Sequence, residues 1–333
     1  MENTISNSLK RFSWFVLVYN LLVIVFGAYV RATRSGAGCG SHWPLCNGVV
    51  IPQNPATETI VEFTHRVTSG FTVLLIVILI TWIWRRSQRG SPIRVSAALA
   101  GFFIITESLI GAGLVLFELV AHNDSMARAF SMMAHLVNTF LLIASIGITS
   151  WWLSFGAPQK APKDRQARLL SLLGAGGMLF LGASGAVTAL GDTLFPVSSL
   201  AEGLQQDFDT TAHILLRLRV FHPVIAILAG GYLIGFGIWL RSRYPWKFVK
   251  QLGNWMIFLI VLQWGLGLLN VVLLAPVWLQ LVHLSITTLI WLLFVGLSIF
   301  AWIPFEFSSG IGHNPVHDAV NQSSARESSQ MKI

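Results

Sequence analysis

The sequence predicts an all-α integral membrane protein: eight transmembrane helices arranged as two pseudo-twofold-related four-helix bundles. Three observations carry that prediction. The 333 residues are 54% hydrophobic and only 11% charged, and mean hydropathy is +0.67, far above that of a soluble enzyme. Apolar runs of the roughly 20 residues needed to span a bilayer recur along the chain. Short groups of Lys and Arg lie between these runs and alternate with acidic loops. The formal net charge of +8 is therefore a topology signal and not a nucleic-acid footprint; the chain's surroundings are a lipid bilayer.

The spans fall at about 13–31, 61–84, 93–117, 126–154, 167–190, 212–240, 248–274 and 277–303. The fourth and sixth are long enough to tilt or to extend past the lipid. The segment before the first span is polar from Met1 to Lys10, unlike a cleavable signal peptide. Lys10 and Arg11 precede span one. Arg85, Arg86, Arg89 and Arg94 separate spans two and three. Lys160, Lys163, Arg165 and Arg168 separate four and five, and Arg241, Arg243, Lys247 and Lys250 separate six and seven. All four groups share one side, which the positive-inside rule makes the cytoplasm, so both termini are expected there. The opposite loops carry Glu118, Asp124, Asp192, Glu202, Asp207 and Asp209. The loop at about 32–60 is long and rich in Gly and Pro, and that at about 191–211 has room for a short surface helix over Ser199–Asp207. Loops of this length are usually lids or binding loops. The Ser-rich tail, 305–333, has the composition of a disordered segment.

An internal repeat divides the chain into an N-terminal half, 1–155, and a C-terminal half, 156–304. Gly27-Ala28-Tyr29-Val30 is echoed by Gly185-Ala186-Val187-Thr188, and Glu107-x-x-x-Gly111 by Gln263-x-x-x-Gly267. His65 is echoed by His222, and His135 by His283. Repeats running in the same direction imply an axis along the membrane normal. The close pairs Gly111/Gly113 and Gly265/Gly267 suit packing inside a bundle or a homo-oligomer face equally.

The histidines suggest chemistry. His65, His135, His222 and His283 each sit in an even-numbered span. At 1.5 Å per residue they lie roughly 6 to 15 Å below the outer helix ends. One membrane histidine is accounted for by a bond to a neighbouring helix. Two repeat-related pairs at similar depth suit two bis-histidine haems, since neutral imidazole ligates haem iron and bundle cores house cofactors. Copper or zinc would need a third ligand that each half lacks at that depth, Glu62 apart. His42 and His122 lie in loops, and His313 and His317 in the tail.

Glu62 stands three residues before His65, on the same helix face. Its plain role is an ion pair with Arg66 at i+4. The repeat-equivalent position before His222 is Arg219, so one half has an acid where the other has a base. An acid beside a haem can relay protons, and arginine can hold propionates through paired hydrogen bonds. Arg217 and Arg219 fit that anchoring role in the second half; Arg31, Arg34, Arg66 and Arg128 fit it in the first, and a snorkelling interfacial charge is the alternative for each. Cys39 and Cys46 share one outer loop on the oxidising side, where a disulfide can form. It would act as a staple for a lid or as a redox pair. No Walker-type GKS or GKT, dinucleotide fingerprint or HExxH occurs.

Taken together, Gly27-Ala-Tyr-Val-Arg31-Ala-Thr-Arg-Ser-Gly36, Cys39-Gly-Ser-His-Trp-Pro-Leu-Cys46-Asn-Gly48 and Glu62-Phe-Thr-His-Arg66 resemble the N-terminal half of bacterial haem A synthases. The likeness is strong to about residue 70 and diffuse over the remaining spans. It implies a membrane haem-dependent oxidoreductase that oxidises the C8 methyl of haem O to a formyl group by successive hydroxylations, giving haem A for terminal oxidases. It implies that His65 and His135 ligate the substrate haem iron, that Glu62 is catalytic, that His222 and His283 hold a haem b, and that Cys39 and Cys46 form the family's disulfide. It also implies a bacterial plasma membrane, haem O delivered by a haem O synthase, and an electron donor the residues do not name. Two departures stand out. Residues 191–211 lack the second cysteine pair of some members, and His222-Pro223 replaces the His-Arg of many. His213 is an extra candidate near the second site, as a propionate partner or as a ligand. A non-enzymatic di-haem b electron carrier is the alternative the histidines alone allow.

Overall fold

A computed structural model describes residues 6–157, 164–244 and 246–302. Lys160, Lys163, His313, His317 and the tail at 305–333 lie outside the described residues. The helices are α1 (Asn7–Ala32), α2 (Thr57–Arg86), α3 (Pro92–Leu116), α4 (Met126–Phe155), α5 (Arg165–Leu194), α6 (Leu200–Phe208), α7 (Ile214–Arg219), α8 (Phe221–Arg243), α9 (Lys247–Val272) and α10 (Val277–Trp302). No strand occurs among the described residues. Among the described residues, eight helices are long and apolar enough to cross a membrane, with α7 and α8 counted as one. The chain is a multi-pass membrane protein, as its hydropathy predicts.

Local chemistry sets the boundaries. Ser6, Ser91, Ser125, Asp164 and Ser199 each cap a helix with a side-chain oxygen that accepts a first-turn amide. Such a cap stabilises a helix by about 1 kcal/mol. The surface helix expected over Ser199–Asp207 is α6. The sixth span differs from the single helix expected at 212–240: it breaks at Val220. Pro223 is the cause. It has no N–H to give to the Arg219 carbonyl four residues back, and its ring crowds that carbonyl.

Each set of four spans closes on itself. α1 packs on α2, α2 on α3, α3 on α4 and α4 on α1. In the second set the cycle is α5–α8, α8–α9, α9–α10 and α10–α5. The sets meet through α1, α4, α5 and α10. There Phe140 stacks on Trp291 with centroids 5.7 Å apart, and the Trp291 indole N–H donates to the Phe140 carbonyl at 2.8 Å. Gly182 admits the Phe140 ring, since a Cβ on it would stand 3.1 Å from that ring. Near the loop end Arg31 crosses between the sets. It donates to the Ala189 carbonyl at 2.5 Å, Thr193 Oγ1 at 2.6 Å and Gln280 Oε1 at 2.8 Å. Outward faces carry exposed Phe15, Leu22, Phe102, Leu109, Trp255 and Leu268, as lipid-facing surfaces do.

Candidate functional site

The four span histidines repeat one contact. Each packs its ring against a glycine of a neighbouring helix. A Cβ on Gly27 of α1 would stand 3.0 Å from Cε1 and 3.2 Å from Nε2 of His65. A Cβ on Gly185 of α5 would stand 3.2 Å from Cε1 of His222. The same approach is looser at Gly111 to His135, 3.9 Å, and at Gly267 to His283, 3.5 Å. Glycine at these places keeps the helices close and the imidazoles unobstructed. His65 and His135 lie within each other's electrostatic reach, and so do His222 and His283. All four rings are half-buried. No three His, Cys, Asp or Glu side chains among the described residues converge as a metal-binding group.

The second ring nitrogens have different surroundings. His222 Nδ1 is 2.9 Å from the Ser184 hydroxyl. At the matching place beside His65, one residue before the glycine, stands Phe26, edge-on to the ring at 5.6 Å. Glu107 Oε1 of α3 lies 3.4 Å from His135 Nδ1, close but not aligned as a hydrogen bond. Asn138 Nδ2 donates to Glu107 Oε2 at 2.6 Å, and the Thr139 hydroxyl donates to Oε1. In the second set Gln263 takes the place of Glu107. Its amide donates to the His283 carbonyl at 3.0 Å and to Thr287 Oγ1 at 2.6 Å, and His283 Nδ1 keeps no hydrogen-bond partner.

Glu62 closes a lid. Cys39 and Cys46 form a disulfide, and both are fully buried. Glu62 is 3% exposed. Its Oε2 accepts the Cys39 amide at 2.8 Å, and its Oε1 accepts Arg66 Nη2 at 2.5 Å and Nε at 3.1 Å. Arg66 Nη1 donates onward to the His42 and Leu45 carbonyls, each at 2.7 Å. Thr59 Oγ1 donates to the Gly38 carbonyl at 2.7 Å. Gly38 cannot be replaced without moving the loop, because a Cβ there would overlap the Glu58 backbone. The pair at Glu62 and Arg66 is thus the i+4 ion pair expected on a helix, and it also binds the disulfide loop to α2.

The other arginines are mostly engaged. Arg219 pairs with Asp207 Oδ1 at 2.5 Å and Asp192 Oδ1 at 3.1 Å. Arg217 is exposed. Arg34 donates to the Thr193 carbonyl. Arg128 is 3% exposed; its Nη1 donates to the Ala121 and Asn123 carbonyls, but its buried Nε has no partner. His213 is the N-cap of α7: its Nδ1 accepts the Leu215 amide at 3.3 Å, and its ring packs on Phe195. Its Nε2 lies 3.9 Å from Asp124 Oδ2. Surface grooves of about 430 Å³ and 290 Å³ lie toward the Arg-rich ends of α2 and α8, and no histidine lines them.

Glu107 and Gln263 stand out in the sequence as repeat markers, and neither was expected as a site residue. The signal was there, because a carboxylate inside an apolar span is costly and is tolerated mainly where it works. Ser184, Asn138 and Thr139 gave none, as hydroxyls and amides in spans commonly bond their own helix.

Comparison with known proteins accords with this geometry. The family model of cytochrome oxidase assembly proteins, COX15-CtaA, matches residues 10–295. A Thermus thermophilus protein named protoheme IX farnesyltransferase is 47% identical over 298 residues, which is 90% of this chain and 49% of that protein. A heme A synthase of Halalkalibacterium halodurans is 40% identical over 139 residues, 42% of this chain and 46% of the relative. One of an Exiguobacterium species is 43% identical over 107 residues, 32% of this chain and 36% of the relative. The chain thus spans about half the length, or less, of these curated relatives. With the family model covering nearly all the described residues, the chain belongs to the COX15-CtaA family of cytochrome oxidase assembly proteins.

Proposed function

We propose that this chain is a haem A synthase, oxidising the C8 methyl of haem O through an alcohol stage to the formyl group of haem A. The observation that carries the reading is the pair of half-buried imidazoles, His65 and His135, with the disulfide loop bound by Glu62 and Arg66 to the helix that carries His65. The names of two heme A synthases among the relatives support it.

The residues present fit a haem in each half. His65 and His283 each keep a buried Nδ1 without a partner, and Gly27 leaves room beside His65 Nε2 that a methyl group would fill. Two imidazoles, and no third ligand beside them, is the donor set of a six-coordinate haem. His65 and His135 would hold the substrate haem O, and His222 and His283 a resident haem b. A haem b held by His222 and His283 would supply one-electron redox chemistry. Arg128, with its unpartnered Nε, is the guanidinium best suited to a propionate. Arg66 and Arg219 could serve only by sharing their carboxylate partners, and Arg217 only from the exposed face.

In this reading the chain's own residues do three things. The histidine pairs orient the two rings. The lid, stapled by Cys39–Cys46 and tied by Glu62, excludes water from the reacting face. Glu62 handles a proton at a carboxylate already placed between the Cys39 amide and Arg66.

The arginine groups between spans support a bacterial plasma membrane protein with its Arg85/Arg86 end and both termini on the cytoplasmic side. The matched glycine–histidine contacts support a pseudo-twofold relation of the halves 1–155 and 156–304. Haem O comes from a prenyl-transfer reaction on protohaem. The Thermus relative supports consecutive steps, since half of one chain named for that transfer resembles this protein.

The test is conversion. Membranes carrying the protein, given haem O, a reductant and air, should form the alcohol and formyl haems. His65→Ala and His135→Ala should abolish both products. Absence of any oxidised product from the unaltered protein would contradict the proposal.

A further inference from the structure

The two histidine pairs differ most at one position. Glu107 faces the ring of His135, and Gln263, at the matching place, faces backbone and hydroxyl instead. Glu107 is not a loose surface acid. Asn138 grips Oε2, and Asn138 is itself fixed by Thr106 Oγ1 at 2.6 Å and by the Phe103 carbonyl at 2.8 Å. Thr139 reaches Oε1. The carboxylate is thus held in place with Oε1 3.4 Å from His135 Nδ1, within reach of an Nδ1–H···Oε1 bond once the two are aligned.

Resting on the reading that His135 is an axial haem ligand, we infer that Glu107 is a positioning residue that fixes the His135 ring and makes it the most basic of the four axial ligands. A carboxylate on the outer nitrogen fixes the tautomer with Nε2 free for iron and raises the electron donation of the ring. More donation favours oxidised iron and lowers the reduction potential. An amide at Gln263 that leaves His283 Nδ1 unpartnered does neither. His222 has only a neutral hydroxyl, from Ser184. With a haem held in each half, the Glu107 contact would lower the potential of the first site relative to the second.

Two variants of the full chain test this by opposite signs. Glu107→Gln removes the charge and should raise the midpoint potential of the first-half haem, leaving the second where it was. Thr139→Val, close in shape, removes a donor that competes for Oε1 and should lower the same midpoint. Optical redox titration reads both potentials, and low-spin electron paramagnetic resonance should show the g-values of one haem moving and those of the other unchanged. Thr139→Val decides the matter if Glu107→Gln fails to fold. Two haems in the unaltered protein with no shift in either folded variant, or shifts of the same sign in both, would overturn the role of Glu107 while leaving the haem reading intact. Absence of haem from the unaltered protein would overturn the reading itself, and this inference with it.

Discussion

The Cys39 amide lies 2.8 Å from Glu62 Oε2, so one carboxylate joins the disulfide loop to the helix that carries His65. Glu62 is therefore a tether, a duty Arg66 shares, and the proposed function adds a second, separable duty of proton handling. Arg66→Leu should loosen the lid, with a loss of about 1.5–3 kcal/mol for bonds to a charged group, and should slow product formation in part. Glu62→Gln should keep both haems but stop formyl product. The rate at which a phosphine reduces Cys39–Cys46 measures lid opening, and extracted haems measure product. Equal product loss in the two variants would reduce Glu62 to a tether.

Gly27 and Gly185 leave less space than Gly111 and Gly267. Gly27→Ala should lower haem content at the first site alone, and Gly185→Ala at the second alone. Gly111→Ala should load nearly normally, because its Cβ would meet His135 at an ordinary contact distance of 3.9 Å. Haem-to-protein stoichiometry, with spectra to separate the sites, checks the pattern.

The disulfide closes a short loop, with a sequence separation of 7, and its sulfurs have no access to solvent. Its loss should cost about 2–3 kcal/mol and act through the lid. Cys39→Ser with Cys46→Ser should lower thermal stability and product yield together while leaving second-site haem unchanged. Thiol reagents should react with the unaltered protein only after reduction, at a rate set by lid opening.

Arg31 binds both halves together through Ala189, Thr193 and Gln280. Arg31→Met should destabilise by about 1.5–3 kcal/mol, since bonds from a half-buried charge are lost. Haem release on heating should then occur at lower temperature in both sites at once. Release from one site only would show that the halves unfold independently of this latch.

The spans, the paired histidines and the lid cysteines were legible because each leaves a local mark: an apolar run, a repeated position, a loop of set composition. The break at Val220 was legible only as the odd dipeptide His222-Pro223; its effect depends on a carbonyl one turn back. The capping role of His213 was not legible, because a capping histidine and a ligating one are alike in sequence. Arg219 looked available because its partners, Asp192 and Asp207, lie 27 and 12 residues away. Glu107 was visible, but its bearing on His135 depends on how α3 packs on α4.

The haems themselves test the central claim most directly. The protein is purified from a host supplied with haem O, its haems are extracted in acid solvent, and they are identified by chromatography and mass. The account predicts haem O with its alcohol or formyl forms beside haem b. Haem b alone, with haem O on offer, would contradict it and mark the protein as an electron carrier; no haem at all would return the four histidines to packing between helices.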